Sequence, residues 1–374
     1  MEKKLASSNF RRAASSVAAK TFWRIPGSFG VARVFGPNYS LRCVVFHHIS
    51  RKDCPFTHGI DVRTPPEVFE MALQFITAHY TPVRLDDVLN AQERNLPPRP
   101  ILVTFDDAYA SVAEMAAPLC KRYRVPAVFF VNAAFLDNQR LAADNLICYV
   151  ARVHGMTAIN AAAREVVRPN AVELRSLPEV FGDFLSALTL DARRAFMEAL
   201  KDRIQINEGH VAREADLYLS SSQLRALTAF DFEVGNHTYS HVHCRGLSSA
   251  DYAEEIDKNK EALEVVSGTK VRAFSQPYGS AVDLTPELTD RLNSTGHKAA
   301  FLSESVANEG GPTRFVFDRV NPRPDDNDTL FFEIEILPRL RAIRNRVSGG
   351  ALTRGDTISI RRDKAQRLER YSAL

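Results

Sequence analysis

Two carboxylates stand side by side in the run ILVTFDDAYA, at Asp106 and Asp107. Two imidazoles stand four residues apart in GNHTYSH, at His237 and His241. The chemistry open to such a set is metal-assisted hydrolysis. A spacing of four puts both imidazoles on one side of a helical turn, where they can share a cation. A carboxylate from another segment completes a facial His-His-Asp set with positions left for water. That donor set suits a divalent ion, Zn²⁺ first, with Co²⁺ or Ni²⁺ as alternatives. The zinc-protease pattern HExxH is absent, because Thr238 stands where its glutamate would be. The general base must come from elsewhere, and the aspartate pair can supply it: one carboxylate binds the ion and the other takes a proton from the activated water.

Each feature alone is weak. Adjacent aspartates usually make a turn or a helix cap, and most HxxxH pairs are surface or core histidines. Their placement raises their weight. His47-His48 follows the apolar run Arg42 to Phe46. Asp106-Asp107 follows Ile101 to Phe105. Asn236 to His241 follows Phe232 to Gly235, and Ser275-Gln276-Pro277-Tyr278-Gly279 follows Val271 to Phe274. Each run reads as a buried strand. Further strands are expected at Ala127 to Val131, Lys298 to Leu302 and Phe315 to Val320. Helices are expected after Thr64-Pro65, with Thr64 as cap, and over Val112 to Tyr123, Ser249 to Val266 and Pro286 to Asn293. Alternating strands and helices predict an α/β fold with a parallel sheet, which about seven units can close into a barrel. In such folds the site lies beyond the carboxyl ends of the strands. Residues 138–218 are rich in Ala, Leu and Arg with no clear strand, and read as a helical insertion that caps, flanks or merely decorates the barrel.

The chain has 374 residues, 45% hydrophobic and 25% charged, as in soluble globular proteins. No apolar run is long enough to cross a bilayer. Five widely spaced cysteines without CxxC argue against a disulfide scaffold and against a thiolate metal site. The N-terminus has no apolar signal core, which together with the cysteines points to the cytoplasm. Nothing resembles a nucleic-acid module. The net charge of +3 conceals basic ends: residues 1–40 carry seven Lys/Arg against Glu2, and residues 339–374 carry ten against three acids. With Phe22-Trp23 and the amphipathic stretch Phe331 to Val347, these ends suit peripheral contact with an anionic membrane, or are solvated tails.

TFDDAY, GNHTYSH and FSQPYG, in that order, resemble the motifs of the polysaccharide deacetylase family with its NodB homology domain. LSSSQLRALTAFDFEVGNHTYSH, DYAEEIDKNKEALEVVSG and LNSTGHKAAFLSES resemble the linking text, so that the likeness covers roughly residues 40 to 325. The resemblance implies a distorted, incomplete (β/α)7–8 barrel over 41–325 carrying the insertion, between a basic N-terminal segment (1–40) and a basic C-terminal helical segment (326–374). It implies metal-dependent removal of acetyl groups from an N-acetylated, glucosamine-containing glycan. By position, Asp107, His237 and His241 match the metal ligands and Asp106 the base. Pro277-Tyr278 matches the turn whose backbone N–H holds the oxyanion.

The chain departs from the family pattern at the acid. No histidine follows His297, the only tryptophan is Trp23, and Ser275 stands where the third motif usually has arginine. One branch carries instead an early Tyr-His-x-Val/Ile stretch, which Phe46-His47-His48-Ile49 resembles. The resemblance therefore implies His47 as the acid, with His48, His243 and His297 as weaker candidates. His243 is expected at the surface or pocket rim. Arg319, where that branch often shows arginine, is expected to line the substrate groove, to pair with Asp106, or to make a surface salt bridge. Two rival functions keep the same residues: an O-acetyl-ester or small-amide hydrolase, and a catalytically silent glycan-binding scaffold.

Overall fold

The computed structural model describes residues 17–18, 20–21 and 40–351, less 92–95, 168–172, 231 and 309–313. Nearly all of the basic N-terminal segment, with Phe22-Trp23, and residues 352–374 lie outside the described residues. Seven strands form one sheet: β1 (Arg42–Phe46), β2 (Pro100–Phe105), β3 (Ala127–Val131), β4 (Glu233–Asn236), β5 (Ala273–Ser275), β6 (Ala299–Leu302) and β7 (Val316–Asp318). They lie in sequence order, and every pairing along this path is parallel. A two-residue strand, Thr81–Pro82, pairs with the start of β2. The ends of the sheet meet at a single bridge, Val44 to Val320, through Val45 N–H to Val320 O (2.8 Å) and Val320 N–H to Cys43 O (2.9 Å). The sheet is thus nearly closed into a barrel with helices around it.

Alternation along the strands explains the two cores. Ile101, Val103 and Phe105 of β2, with Phe129 of β3, face the helices and pack with Phe69, Leu73 and Ile76 of the helix Pro66–His79. Phe105 and Phe129 stack at 4.9 Å. Leu102, Val128, Phe130, Phe301 and Phe317 take the opposite parity and fill the barrel. Gly235 is required here: a Cβ on it would lie 2.3 Å from the Phe130 ring. Asp106 continues the interior parity of Leu102 and Thr104, so it emerges at the top layer of the barrel.

Two local expectations change. Pro65, not Thr64, is the cap of the helix Pro66–His79, and no side chain caps it. Thr64 is instead paired in a short ladder, Arg63–Thr64 with His48–Ile49. The helical stretch 249–267 begins with Ser248 as its cap and ends at Gly268 in the left-handed region. Residues 138–218 hold the helices Ala143–Val153, Gly155–Val166, Leu190–Ile204 and Glu208–Ala215. They bury a core of their own, including Ile147, Val150, Ile159, Phe184, Phe196 and Leu200, which is joined to Tyr109 and Phe135.

Candidate active site

The two adjacent aspartates are turned apart by backbone geometry. Asp106 still donates its N–H to Phe46 O (3.1 Å), as a strand residue would. Asp107 and Ala108 then both adopt positive φ, 71° and 56°, which swings the second carboxylate out of the strand line. Its Oδ1 lies 3.2 Å from His237 Nε2 and 3.3 Å from His241 Nε2. One donor atom from each of the three residues falls within a 4.8 Å cluster. The ring nitrogens away from the cluster are occupied: His237 Nδ1 bonds Ser275 O at 2.7 Å, and His241 Nδ1 meets Asp144 Oδ2 at 2.9 Å. Both Nε2 atoms therefore face Asp107, as ligand imidazoles do. One carboxylate and two oriented imidazoles fit a divalent first-row ion. Burial alone would discharge His241, but Asp144 and Asp107 outweigh it and push its pKa up to about 10. The pocket is electrostatically built for a cation.

The HxxxH segment is not a helical turn. Thr238 and His241 both have positive φ, 60° and 53°, and the chain turns irregularly from β4 until Ser249. Convergence of the imidazoles comes from buried polar anchors. Asn132 donates to the carbonyls of His237 and Thr238. Asn236 Oδ1 accepts the Thr238 N–H at 3.0 Å, and Glu255 holds the Ser240 N–H (2.8 Å) and hydroxyl (2.6 Å). Asn259 ties Ala133 and Asn236 together. These anchors were missed in the sequence. Their one signal was Glu255 and Asn259, polar at i and i+4 on the face that the helix buries.

Arg319 is fully buried and does not line a groove, which corrects the expectation of a substrate contact or a surface pair. Its guanidinium grips Asp106 with two parallel bonds, Nη1 to Oδ1 at 2.8 Å and Nη2 to Oδ2 at 2.7 Å. It also donates to Leu302 O, Thr104 Oγ1, Ser275 Oγ and Ser303 Oγ. The arginine missing at position 275 is thus supplied from beyond β7, and Ser275 makes room for it while donating to Asp106 at 3.1 Å. Burial pushes the Asp106 pKa up, but Arg319 and then His237 more than offset that and leave it below the usual carboxylate value.

The four candidate acids separate. His47 is half-buried beside the aspartates. Burial lowers its pKa, opposed by the charges of Asp107 and Asp106. His48 turns away, with Nδ1 3.1 Å from Ser111 Oγ and its ring against Tyr109. His297 lies below the site, between Thr295 and Asn236. His243 is buried rather than at the surface: its ring stacks on Tyr278 at 3.7 Å, while Asp283 and Phe181 O take its nitrogens. Tyr278 itself has φ 62° within the Pro277–Gly279 turn. Beside it runs a groove lined by His241, Val242, His243 and Tyr278 on one side and by Leu190, Arg193 and Met197 of the insertion on the other.

A sequence profile described as polysaccharide deacetylase matches residues 93–176 and 182–300, more than half of the chain. The chain belongs to the polysaccharide deacetylase family. Two solved structures share its fold. The deacetylase PplD of Streptococcus pyogenes, solved in complex with acetate, superposes with a TM-score of 0.53 at 13% identity, over 80% of this chain and 100% of that one. IcaB from Ammonifex degensii superposes with a TM-score of 0.51 at 18% identity, over 79% of this chain and 97% of that one. A stretch of 48 residues is 38% identical to Uncharacterized protein YlxY of Bacillus subtilis (strain 168). It spans 13% of this chain and only 15% of that protein's length.

Proposed function

We propose that the chain is a metal-dependent deacetylase that removes acetyl groups from the amino sugars of a glucosamine-containing glycan. The observation that carries this reading is the convergence of Asp107, His237 and His241 beside an arginine-clamped Asp106 at the carboxyl ends of the strands. Asp107, His237 and His241 would hold the ion, Zn²⁺ first among the candidates. Bound there, a divalent ion supplies Lewis-acid polarisation of the acetyl carbonyl and acidifies a water. Asp106, kept ionised and aimed by Arg319, accepts the proton of the attacking water. The Tyr278 backbone N–H donates to the developing oxyanion. His47, beside the aspartates, gives a proton to the departing amine.

Acetate release from short N-acetylglucosamine oligomers tests this, with the new amine quantified beside the acetate. Wild type is expected to release both in equal amounts and to stop when chelated. His47→Ala is expected to lose about 10²–10⁴-fold. Acetate released from an O-acetylated xylan but not from these oligomers would instead favour the O-acetyl esterase. A protein that holds no ion and releases nothing would favour the silent scaffold.

The C-terminal helix supports a peripheral membrane contact. Leu330, Phe331 and Ile334 anchor the helical stretch in the barrel's outer core. Farther on, in the helix Leu337–Ala351, Leu340, Ile343 and Val347 are each more than half exposed. Their spacing places them on one stripe, and the helix also carries Arg339, Arg341, Arg344 and Arg346 with no acid. An anionic lipid surface matches both its charge and its apolar stripe. Among the described residues, no helix is long and apolar enough to cross a membrane. Co-sedimentation with phosphatidylglycerol vesicles at low salt, lost in Leu340→Glu/Ile343→Glu, is the expected result. Equal recovery of the variant and wild type would remove the helix from the contact.

A further inference from the structure

We propose that Asp144, and through it the helical insertion, is a positioning residue for both the ion-binding imidazole and the oxyanion turn. This rests on the metal-centre reading above. No barrel stave supplies Asp144. It is the second residue of the insertion helix Ala143–Val153. Its two oxygens serve two partners: Oδ2 meets His241 Nδ1 at 2.9 Å, and Oδ1 accepts the Tyr278 hydroxyl at 2.7 Å.

Both partners need a tether. His241 and Tyr278 hold positive φ, 53° and 62°, a region that costs a side-chain-bearing residue free energy and persists only where surroundings fix it. The Asp144 carboxylate fixes the His241 ring through its far nitrogen and raises the basicity of the near one. The far nitrogen of the other imidazole, His237 Nδ1, meets a neutral main-chain carbonyl, Ser275 O. The two imidazoles are therefore unequal at their far nitrogens, where His241 has a carboxylate and His237 has not. The same carboxylate holds the Tyr278 ring, which His243 stacks from the other side. The tether is itself anchored close to the aspartate pair. Asn145, the next residue, donates to Tyr109 Oη and to Phe56 O, both at 2.8 Å, and Tyr109 is two residues past Asp107. Arg193 of the insertion adds a bond to His243 O at 3.1 Å.

The test is a Zn²⁺ titration against a competing chelator, with kcat and KM for acetate release measured on the same samples. Asp144→Asn is expected to weaken Zn²⁺ binding about 10–100-fold while the metal-free protein keeps its melting temperature, a split that a merely structural residue would not give. Asp144→Ala removes both bonds without adding an amide and carries the same test should the asparagine variant not fold. Tyr278→Phe leaves the carboxylate on His241, so it is expected to keep wild-type Zn²⁺ affinity and lose kcat with KM little changed. Wild-type Zn²⁺ affinity in Asp144→Asn, or an unchanged kcat in Tyr278→Phe, would overturn the inference alone. A wild type that takes up no Zn²⁺ would overturn the metal-centre reading and this inference with it.

Discussion

Asp106→Asn is expected to lower kcat for acetate release by about 10²–10⁴-fold while the protein keeps its ion. The substitution preserves shape, and asparagine still accepts one guanidinium bond from Arg319. The three residues clustered for the ion are untouched: Asp106 Oδ2 stands 3.8 Å from His237 Nε2, whereas Asp107 Oδ1 stands at 3.2 Å. What the amide cannot do is take a proton from water. KM should therefore change little, and ion content measured on the same preparation should match wild type. Full activity in this variant would remove Asp106 from the role of base.

The second large effect concerns stability. Arg319→Met strands the Asp106 carboxylate, 3% exposed, without its cation. Breaking a buried pair from one side costs about 3–5 kcal/mol, readable as a lower denaturation midpoint. Replacing both partners, Asp106→Leu with Arg319→Met, should return most of that loss, because an apolar pair carries no desolvation penalty. The pH dependence has a definite sign. Asp106 has a depressed folded pKa, so the pair stabilises fully above the unfolded value of about 3.9. That contribution fades as the pH falls through the lower folded value. The gap between wild type and Arg319→Met should narrow only in acid. Equal midpoints near neutrality would show that the pair contributes little.

Much of the frame was legible because strands buried on both sides leave a strong apolar signature. β1 and β3 fall at the residues expected from apolar runs alone, and β2 begins one residue early, at Pro100. β4 and β5 are shifted toward their polar ends, and β5 is one residue shorter, since the boundary of a strand is set by its neighbours' hydrogen bonds rather than by its own composition. The aspartate pair and the two imidazoles were found by type and spacing, but the stated reason for the imidazole spacing was wrong. A helical turn was assumed, whereas left-handed residues at Thr238 and His241 do the work. No pattern at the threonine itself announces its positive φ, because it is held by Asn132, 106 positions away in the chain, together with the neighbouring Asn236. Arg319 was ambiguous for a related reason: burial of an arginine depends on which carboxylate the closed sheet brings to it. Asp144 left no trace at all, being one acid among many in a helical stretch.

The seam of the barrel bears on how the fold fails. Among the described residues, Val320 carries the one rung that joins the last stave to the first, and its immediate neighbour, Arg319, supplies the guanidinium that grips Asp106. Local opening in proteins begins where rungs are fewest. Transient unzipping there would pull the clamp away from its carboxylate while the phenylalanine-packed staves opposite stayed shut. Loss of turnover on warming should accordingly precede loss of the core, with the joint acting as the fold's thermal fuse.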